Sequence, residues 1–373
     1  MFEKFIEVNS RGAGAIRDWK AKTGRKVIAV MPEYFPSEVI TALGARPVRF
    51  RGAQVPISKA DTYLQSFSCT TTRTILEQAL NGDMDHVDAF VFTSMCDNQQ
   101  NLAEVFKRLF PDRPVIIFMI PFTSQIQSRQ ERLREQLDAA IAGLEKVTGS
   151  TFTQDAFGQA KVLHRRRGDL ISRLYDVRRR NPGAVSAYGF YSALKAGSFL
   201  PVEEHADMLG PLVSRLEKEP ARPAEHRVIL SGITPEPLDL TKVFDEIGLH
   251  VVDDDMTSGG RLYSRGVLPG TDAADIDGFV FGGSPCSTLY DPSKDRRAYL
   301  TEKALASGAG VVLWQIKFCE PEAFERPDLM GRLKQSSVPV ISFEVELQMA
   351  GLEGIKTRLQ AFKEIMEEMR RQG

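Results

Sequence analysis

Cysteine is scarce in this 373-residue chain, with only four present, Cys69, Cys96, Cys286 and Cys319. In a chain of this size that is expected to be cytosolic they are unlikely to be disulfide staples and read as core residues, ligands or nucleophiles. No uninterrupted apolar run approaches bilayer length. The N-terminal stretch MFEKFIEVNSRG lacks the apolar centre of a secretory leader. Excess charge is missing as well. A formal net charge of −1 gives no general attraction to nucleic acid or to an anionic membrane. The basic runs His164-Arg165-Arg166-Arg167 and Arg178-Arg179-Arg180 fall in helix-like sequence and read as solvated faces. There is no Walker A motif and no GxGxxG, which argues against ATP hydrolysis or dinucleotide binding by the usual loops. CxxC is absent, and the five histidines show no zincin spacing, so neither a zinc ribbon nor a zincin site is expected. The expectation is a soluble, cytoplasmic protein that binds neither nucleic acid nor membrane.

What is present is a packed globular composition, 42% hydrophobic and 26% charged. Its length implies at least two domains. Near the N-terminus, Lys26–Met31, Pro47–Phe50, Asp88–Phe92 and Val115–Ile120 read as buried strands separated by helix-like segments. The pattern returns near residue 226 with Arg227–Leu230, His250–Asp253, Gly278–Phe281, Gly310–Trp314 and Val338–Phe343. Such alternation predicts parallel sheets covered by helices. VIAVMPEYFPSEVITALGARPV and VILSGITPEPLDLTKVFDEIGLHVV align as strand, Pro-containing loop, helix, Gly and strand, a weak internal duplication. Each Gly fits the left-handed end of a helix. Between the halves, Ser128–Val147 and Thr153–Arg180 carry apolar residues at three- and four-residue spacing and predict long helices. The expected fold is α/β, two Rossmann-like parallel-sheet domains with an intervening helical segment. The boundaries are 1–125, 126–222 and 223–373, with Glu217–Arg227 as an exposed linker and an amphipathic helix at the C-terminal end.

On this map Cys96, Cys286 and Cys319 follow expected strands, and Cys69 begins an expected helix. Ligands gather at the carboxyl edge of parallel sheets, and a helix N-terminus favours thiolate over thiol. A single cysteine is most often core. Four at such positions, repeated as the pairs 69/96 and 286/319, point instead to metal or cluster ligation. Well-separated thiolates suit an iron–sulfur cluster held in a crevice.

The segments SFSCTTTR, SMCDNQQNLAEVFK, IKFCEPEAFERPDLMGRLKQSSVPVISFEVE and IKTRLQAFKE resemble successive signatures of the 2-hydroxyacyl-CoA dehydratase and benzoyl-CoA reductase family. SFLPVEEHADML is similar to a segment of a class I benzoyl-CoA reductase small subunit. The resemblance covers about residue 26 to the C-terminal end. It implies a 4Fe–4S cluster on Cys69, Cys96 and Cys319, pairing with a paralogous cluster-bearing subunit as a heterodimer, and acyl-CoA bound between the two. It also implies electrons from an ATP-hydrolysing iron–sulfur activator. Cys286 stays open as a fourth ligand, a supporting group or packing, and a bridged double-cubane cluster remains an option.

The supporting residues have two readings each. Asp97 and Asn98 would cap the helix after Cys96, or donate to cluster sulfur, as Ser68, Ser94 and Ser284 would. Glu320 orients the site or begins a helix. Asp253-Asp254-Asp255 reads as a solvated loop before it reads as a metal carboxylate cluster. His205 is a candidate proton donor, and Arg73, Lys317 and Arg261 are candidates for the CoA phosphates. The expected activity is reduction of an aryl-CoA ring by a benzoyl-CoA reductase. The alternatives are a 2-hydroxyacyl-CoA dehydratase subunit, a non-catalytic cluster or scaffold subunit, and a metal-free binding protein.

Overall fold

The computed structural model describes residues 1–122, 125–289, 291–349 and 351–372. The chain opens with helices α1 (Glu3–Arg11) and α2 (Ala13–Thr23). The first sheet then forms from β1 (Val27–Met31), β2 (Arg46–Arg49), β3 (Ala89–Thr93) and β4 (Val115–Phe118). Its crossovers carry α3 (Ser37–Ala42), α4 (Thr70–Leu80) and α5 (Asp97–Leu109). Four helices follow: α6 (Ile126–Thr148), α7 (Gln154–Arg180), α8 (Ala187–Ala196) and α9 (Val202–Leu216). The second sheet contains β5 (Arg227–Gly232), β6 (His250–Met256), β7 (Gly310–Ile316) and β8 (Val340–Val345). It is accompanied by α10 (Leu240–Ile247), α11 (Gly260–Tyr263), α12 (Ala273–Phe281), α13 (Arg296–Ser307), α14 (Glu320–Gln335) and α15 (Glu353–Gln372). Among the described residues no helix is long and apolar enough to cross a membrane.

Both sheets are wholly parallel and share one strand order, β2-β1-β3-β4 and β6-β5-β7-β8. The duplication read in the sequence is therefore a duplication of topology. Central strands β1, β3 and β7 are buried at every residue, because helices cover both faces and leave no side for polar alternation. Gly44 and Gly248, the two aligned glycines, have φ of 72° and 71° and end α3 and α10. The expected middle helices are present as α6 and α7. Thr153 caps α7 by accepting from the Ala156 N–H at 3.2 Å.

Gly278–Phe281 is helix rather than the expected strand. Ile276, Phe279 and Val280 recur at three- and four-residue spacing and bury α12 against the helices of the first sheet, where Leu133 and Leu137 of α6 lie. Asp277 on the same helix forms a bidentate pair with Arg129 of α6, at 2.5 and 2.9 Å. A four-residue apolar run cannot distinguish the two structures by itself. The stretch 268–289 thus completes the core of the first sheet from the other half of the chain.

Asp253, Asp254 and Asp255 are neither a solvated loop nor a metal cluster. They continue β6 and are buried, each against cations. Asp253 meets Arg179 and Lys303 at 2.8 and 3.0 Å. Asp254 accepts from Arg178 at 2.7 Å and from the hydroxyls of Tyr175 and Tyr191 at 3.0 Å each. These contacts fasten α7 and α8 to the second sheet. Asp254→Ala is expected to cost about 3–5 kcal/mol, because Arg178 would stay buried without its nearest counter-charge. Urea unfolding checks this, and a loss below about 1 kcal/mol would contradict the role assigned to the carboxylate.

Candidate functional site

A 2-1-3-4 order reverses direction between its first and third strands, and a crevice opens outside the carboxyl ends there. In the first sheet that point is flanked by Tyr34 after β1 and Cys96 after β3. In the second sheet Cys319 follows β7. Three cysteines are the N-cap residues of three helices: Cys69 of α4, Cys96 of α5 and Cys319 of α14. Asp97 and Asn98 therefore occupy the first turn of α5, and the cap position belongs to Cys96 itself. None of the three sulfurs closes a capping hydrogen bond. Backbone amides nevertheless face them and favour their anions: Thr71 and Thr72 at Cys69, Gln99 and Asn98 at Cys96, Glu322 at Cys319.

The three thiols stand in one another's field. Burial pushes Cys96 up to about 11, with the Cys69 thiol adding to the effect. Burial raises Cys319 well above the ordinary thiol range, and Cys69 and Cys96 raise it further. Burial also raises Cys69. As thiolates the three would repel each other in a poorly solvated place. Among the described residues no three His, Cys, Asp or Glu side chains close on a single ion. The Thr70 hydroxyl beside Cys69 is buried without a partner. Among the described residues, two of the three non-glycine residues with left-handed backbone also sit here, Tyr34 (φ 69°) and Phe318 (φ 64°), the latter immediately before Cys319. Such geometry costs about 1–3 kcal/mol and persists only where the surroundings dictate it.

A cavity of about 480 Å³ adjoins this place. Cys96, Asp97 and Asn98 form one side, Glu320 and Pro321 of α14 another, and the turn at Cys286 a third. Phe122, Phe281, Phe324, Met95 and Leu289 give it an apolar lining. Phe324 is 83% exposed, and Phe67, two residues before Cys69, is 68% exposed.

Cys286 follows helix α12 rather than a strand, in a turn closed by the Leu289 N–H donating to the Cys286 carbonyl at 3.2 Å. Beneath it lies a buried ion-pair network. Asp255 of β6 accepts from Arg261 at 2.9 and 3.0 Å and from Arg296 at 3.0 Å. Both guanidiniums also reach Glu322 in the first turn of α14, at 3.2 and 3.4 Å. The start of α14, and with it Cys319, is thereby tied to the second sheet.

Other residues named from the sequence lie elsewhere or are already engaged. Arg261 is fully buried within the network. Arg73 is held by Asp61 and the Ser66 carbonyl. Lys317 pairs with Glu346 at 2.8 Å while remaining partly exposed. His205 is buried between α8 and α9, bonded to the Ala193 carbonyl at 2.9 Å and absent from the cavity wall. Burial, reinforced by Arg167, lowers it to about 3 and keeps it neutral. The Ser94 hydroxyl accepts from the Ile120 N–H at 2.7 Å, and Ser284 pairs with Ser264 at 3.1 Å. Ser68 is buried just ahead of Cys69. Sequence reasoning missed Tyr34, Glu322 and the phenylalanine lining. Tyr34 carried a signal as part of the Pro-flanked loop PEYFP after the first strand, and Glu322 and Phe324 lie in the segment KFCEPEAFERP that follows β7.

The structure defines an α/β protein of two duplicated parallel sheets whose helix starts bring cysteines to a shared crevice. Residues 32–366 match the family model described as 2-hydroxyglutaryl-CoA dehydratase, D-component, and the chain belongs to that family. It is 33% identical over 340 residues to a benzoyl-CoA reductase subunit of Thauera aromatica, covering 88% of each chain. It is 28% identical over 367 residues to the (R)-phenyllactyl-CoA dehydratase beta subunit of Clostridium sporogenes, covering 98% of each. With the lactoyl-CoA dehydratase beta subunit of Anaerotignum propionicum the identity is 29% over 360 residues, 94% of this chain and 95% of that one.

Burial alone would raise the Asp255 carboxyl, but Arg261 and Arg296 beside it hold it at about 2. A carboxyl depressed on folding contributes stability that is complete above its unfolded value near 4 and is lost as pH falls through the folded value. Thermal melts should therefore show the wild-type advantage over Asp255→Asn shrinking from about pH 4 toward pH 2, and an advantage constant over that window would refute the pairing.

Proposed function

We propose that this chain is the iron–sulfur subunit of an ATP-dependent benzoyl-CoA reductase, which passes low-potential electrons to the ring of an aryl-CoA thioester and yields a cyclic dienoyl-CoA. The observation that carries this reading is the meeting of three helix-capping thiols from both halves of the chain beside a phenylalanine-lined cavity. A 4Fe–4S cluster suits the donor set, since three cysteine thiols from separate elements lie in one another's field. Cys69, Cys96 and Cys319 would hold it, and when bound it supplies single electrons at low potential. The amides of Thr71, Thr72, Asn98, Gln99 and Glu322 favour anionic sulfur. Phe122, Phe281 and Phe324 bind the aryl or acyl group and exclude water. Lys317 is the partly exposed cation nearest Cys319 in sequence and is assigned to the CoA phosphates.

The relatives are named as subunits. A paralogous cluster-bearing subunit would cover the exposed Phe67, Phe318 and Phe324, which flank Cys69 and Cys319. An ATP-hydrolysing iron–sulfur activator would deliver the electrons. A second reading, a subunit of a 2-hydroxyacyl-CoA dehydratase, is favoured by the family model and by the nearly end-to-end match to dehydratase beta subunits.

Protein purified without oxygen should be brown and carry about four iron and four sulfide per chain. Cys69→Ser, Cys96→Ser and Cys319→Ser should each remove most of the iron, whereas Cys286→Ala should retain it. A colourless wild-type preparation would sink the cluster reading. Assembled with partner, activator, ATP and a reductant, the protein should consume benzoyl-CoA. Dehydration of a 2-hydroxyacyl-CoA without loss of benzoyl-CoA would select the second reading.

A further inference from the structure

Cys286 differs from the other three thiols in everything that touches it. Its sulfur lies 3.0 Å from the Tyr34 hydroxyl, 3.1 Å from the Thr288 hydroxyl, 3.6 Å from Nη1 of Arg261 and 4.0 Å from the Thr257 hydroxyl. A thiol has one proton to give and accepts weakly. Three hydroxyls and a buried guanidinium converging on one sulfur form a cradle for a thiolate. The charged and titratable groups facing it are Tyr34 from the loop after β1, Arg261 of α11 and Arg265 just beyond it. Arg265 stacks on the Tyr34 ring at 4.2 Å. Behind them stand Asp255 of β6 and Glu322 of α14, both engaged by Arg261. The two arginines outweigh burial and lower the Cys286 thiol, opposite to the direction found at Cys69, Cys96 and Cys319.

The sulfur also has somewhere to act. Cys286 lines the same cavity of about 480 Å³ as Cys96, with Phe122, Phe281 and Phe324 as apolar lining. We propose that Cys286 is the group that exchanges a proton with a carbon atom of the acyl or aryl thioester bound in this cavity, a role that rests on the acyl-CoA reading above. Both reactions named among the relatives move such a proton. In dehydration the thiolate takes the proton from the carbon next to the one that loses hydroxide, and the S–H formed later returns it to water. In ring reduction the low-potential donor supplies two electrons and the ring takes up two protons: the S–H gives one to a ring carbon, solvent water gives the other, and the thiolate left behind is reprotonated from solvent at the cavity mouth. Tyr34, Thr288 and Arg261 are positioning residues that stabilise the anionic half of either cycle.

Two measurements test this separately from the cluster and family readings. The first treats the purified full chain with iodoacetamide at neutral pH and follows each cysteine by peptide mass spectrometry. Cys286 should be labelled at least about tenfold faster than Cys69, Cys96 or Cys319 in metal-free protein, in keeping with its larger thiolate fraction. Tyr34→Phe should slow the labelling, and benzoyl-CoA or a 2-hydroxyacyl-CoA should shield the residue. Labelling no faster than at the other thiols, or no shielding by either thioester, overturns the proposal. The second uses the assembled enzyme. Cys286→Ala should keep its iron content and KM but lose about 100-fold in kcat, within the range contributed by general acid–base groups. Cys286→Ser should fall between that variant and wild type. A Cys286→Ala enzyme with wild-type kcat refutes the proton role while leaving the functional reading intact. A wild-type assembly that converts no acyl-CoA sinks the functional reading, and thioester shielding of Cys286 still judges the sulfur.

Discussion

The arrangement hangs on one buried carboxylate. Asp255, at the carboxyl end of β6, is the shared counter-charge of Arg261 and Arg296. Those two guanidiniums are in turn the counter-charges of Glu322, which fixes the first turn of α14 and so the place of Cys319. Arg261 also reaches the Cys286 sulfur. Removing one member leaves charges stranded in a medium that solvates them poorly, so the network holds or fails as a unit. Its neighbours Asp253 and Asp254 do the same for α7 and α8. A single strand thereby aligns the helical layer, the second sheet and the wall of the cavity.

Parallel sheets explain why the thiols meet where they do. Each crossover returns the chain through a helix, and the two helices that follow β3 and β7 begin at the carboxyl edge with their unpaired amides facing the crevice. A cysteine at such a start has its sulfur among backbone N–H groups before any partner arrives. Duplication supplies the same edge twice, so Cys96 from one half and Cys319 from the other are brought to the same place, with Cys69 from the start of α4 between them in the field. So placed, the Cys69, Cys96 and Cys319 thiols are raised by burial, and Cys96 and Cys319 further by the neighbouring thiols.

Two kinds of thiol line the cavity. Cys96 is raised by burial and by the Cys69 thiol. Cys286 is lowered by two arginines and cradled by hydroxyls. Phe122, Phe281 and Phe324 add apolar surface to the same cavity. The family includes both dehydratase and reductase subunits among the relatives of this chain.

Much of this is legible in the residues. KVIAVM, DAFVF and GVVLW carry the apolar runs that doubly covered parallel strands show, and the repeated strand–loop–helix–Gly unit announces two copies of one topology. The spacing within α6 and α7 suffices for both helices. GFVF misleads because four apolar residues satisfy strand and helix equally, and its helical phase shows only once Ile276 and Asp277 meet α6. The aspartate triplet misleads because charge suggests solvent unless its partners are known, and Arg178, Arg179, Arg261, Arg296 and Lys303 lie far from it or behind it in sequence. The sequence by itself determined the class of fold, the duplication and the positions of cysteines at element boundaries, since these follow from local periodicity and turn chemistry. Which charges are buried together, which helix joins which core and which sulfur faces a cation were decided by tertiary structure alone, because long-range electrostatics and burial depend on neighbours that no local pattern names.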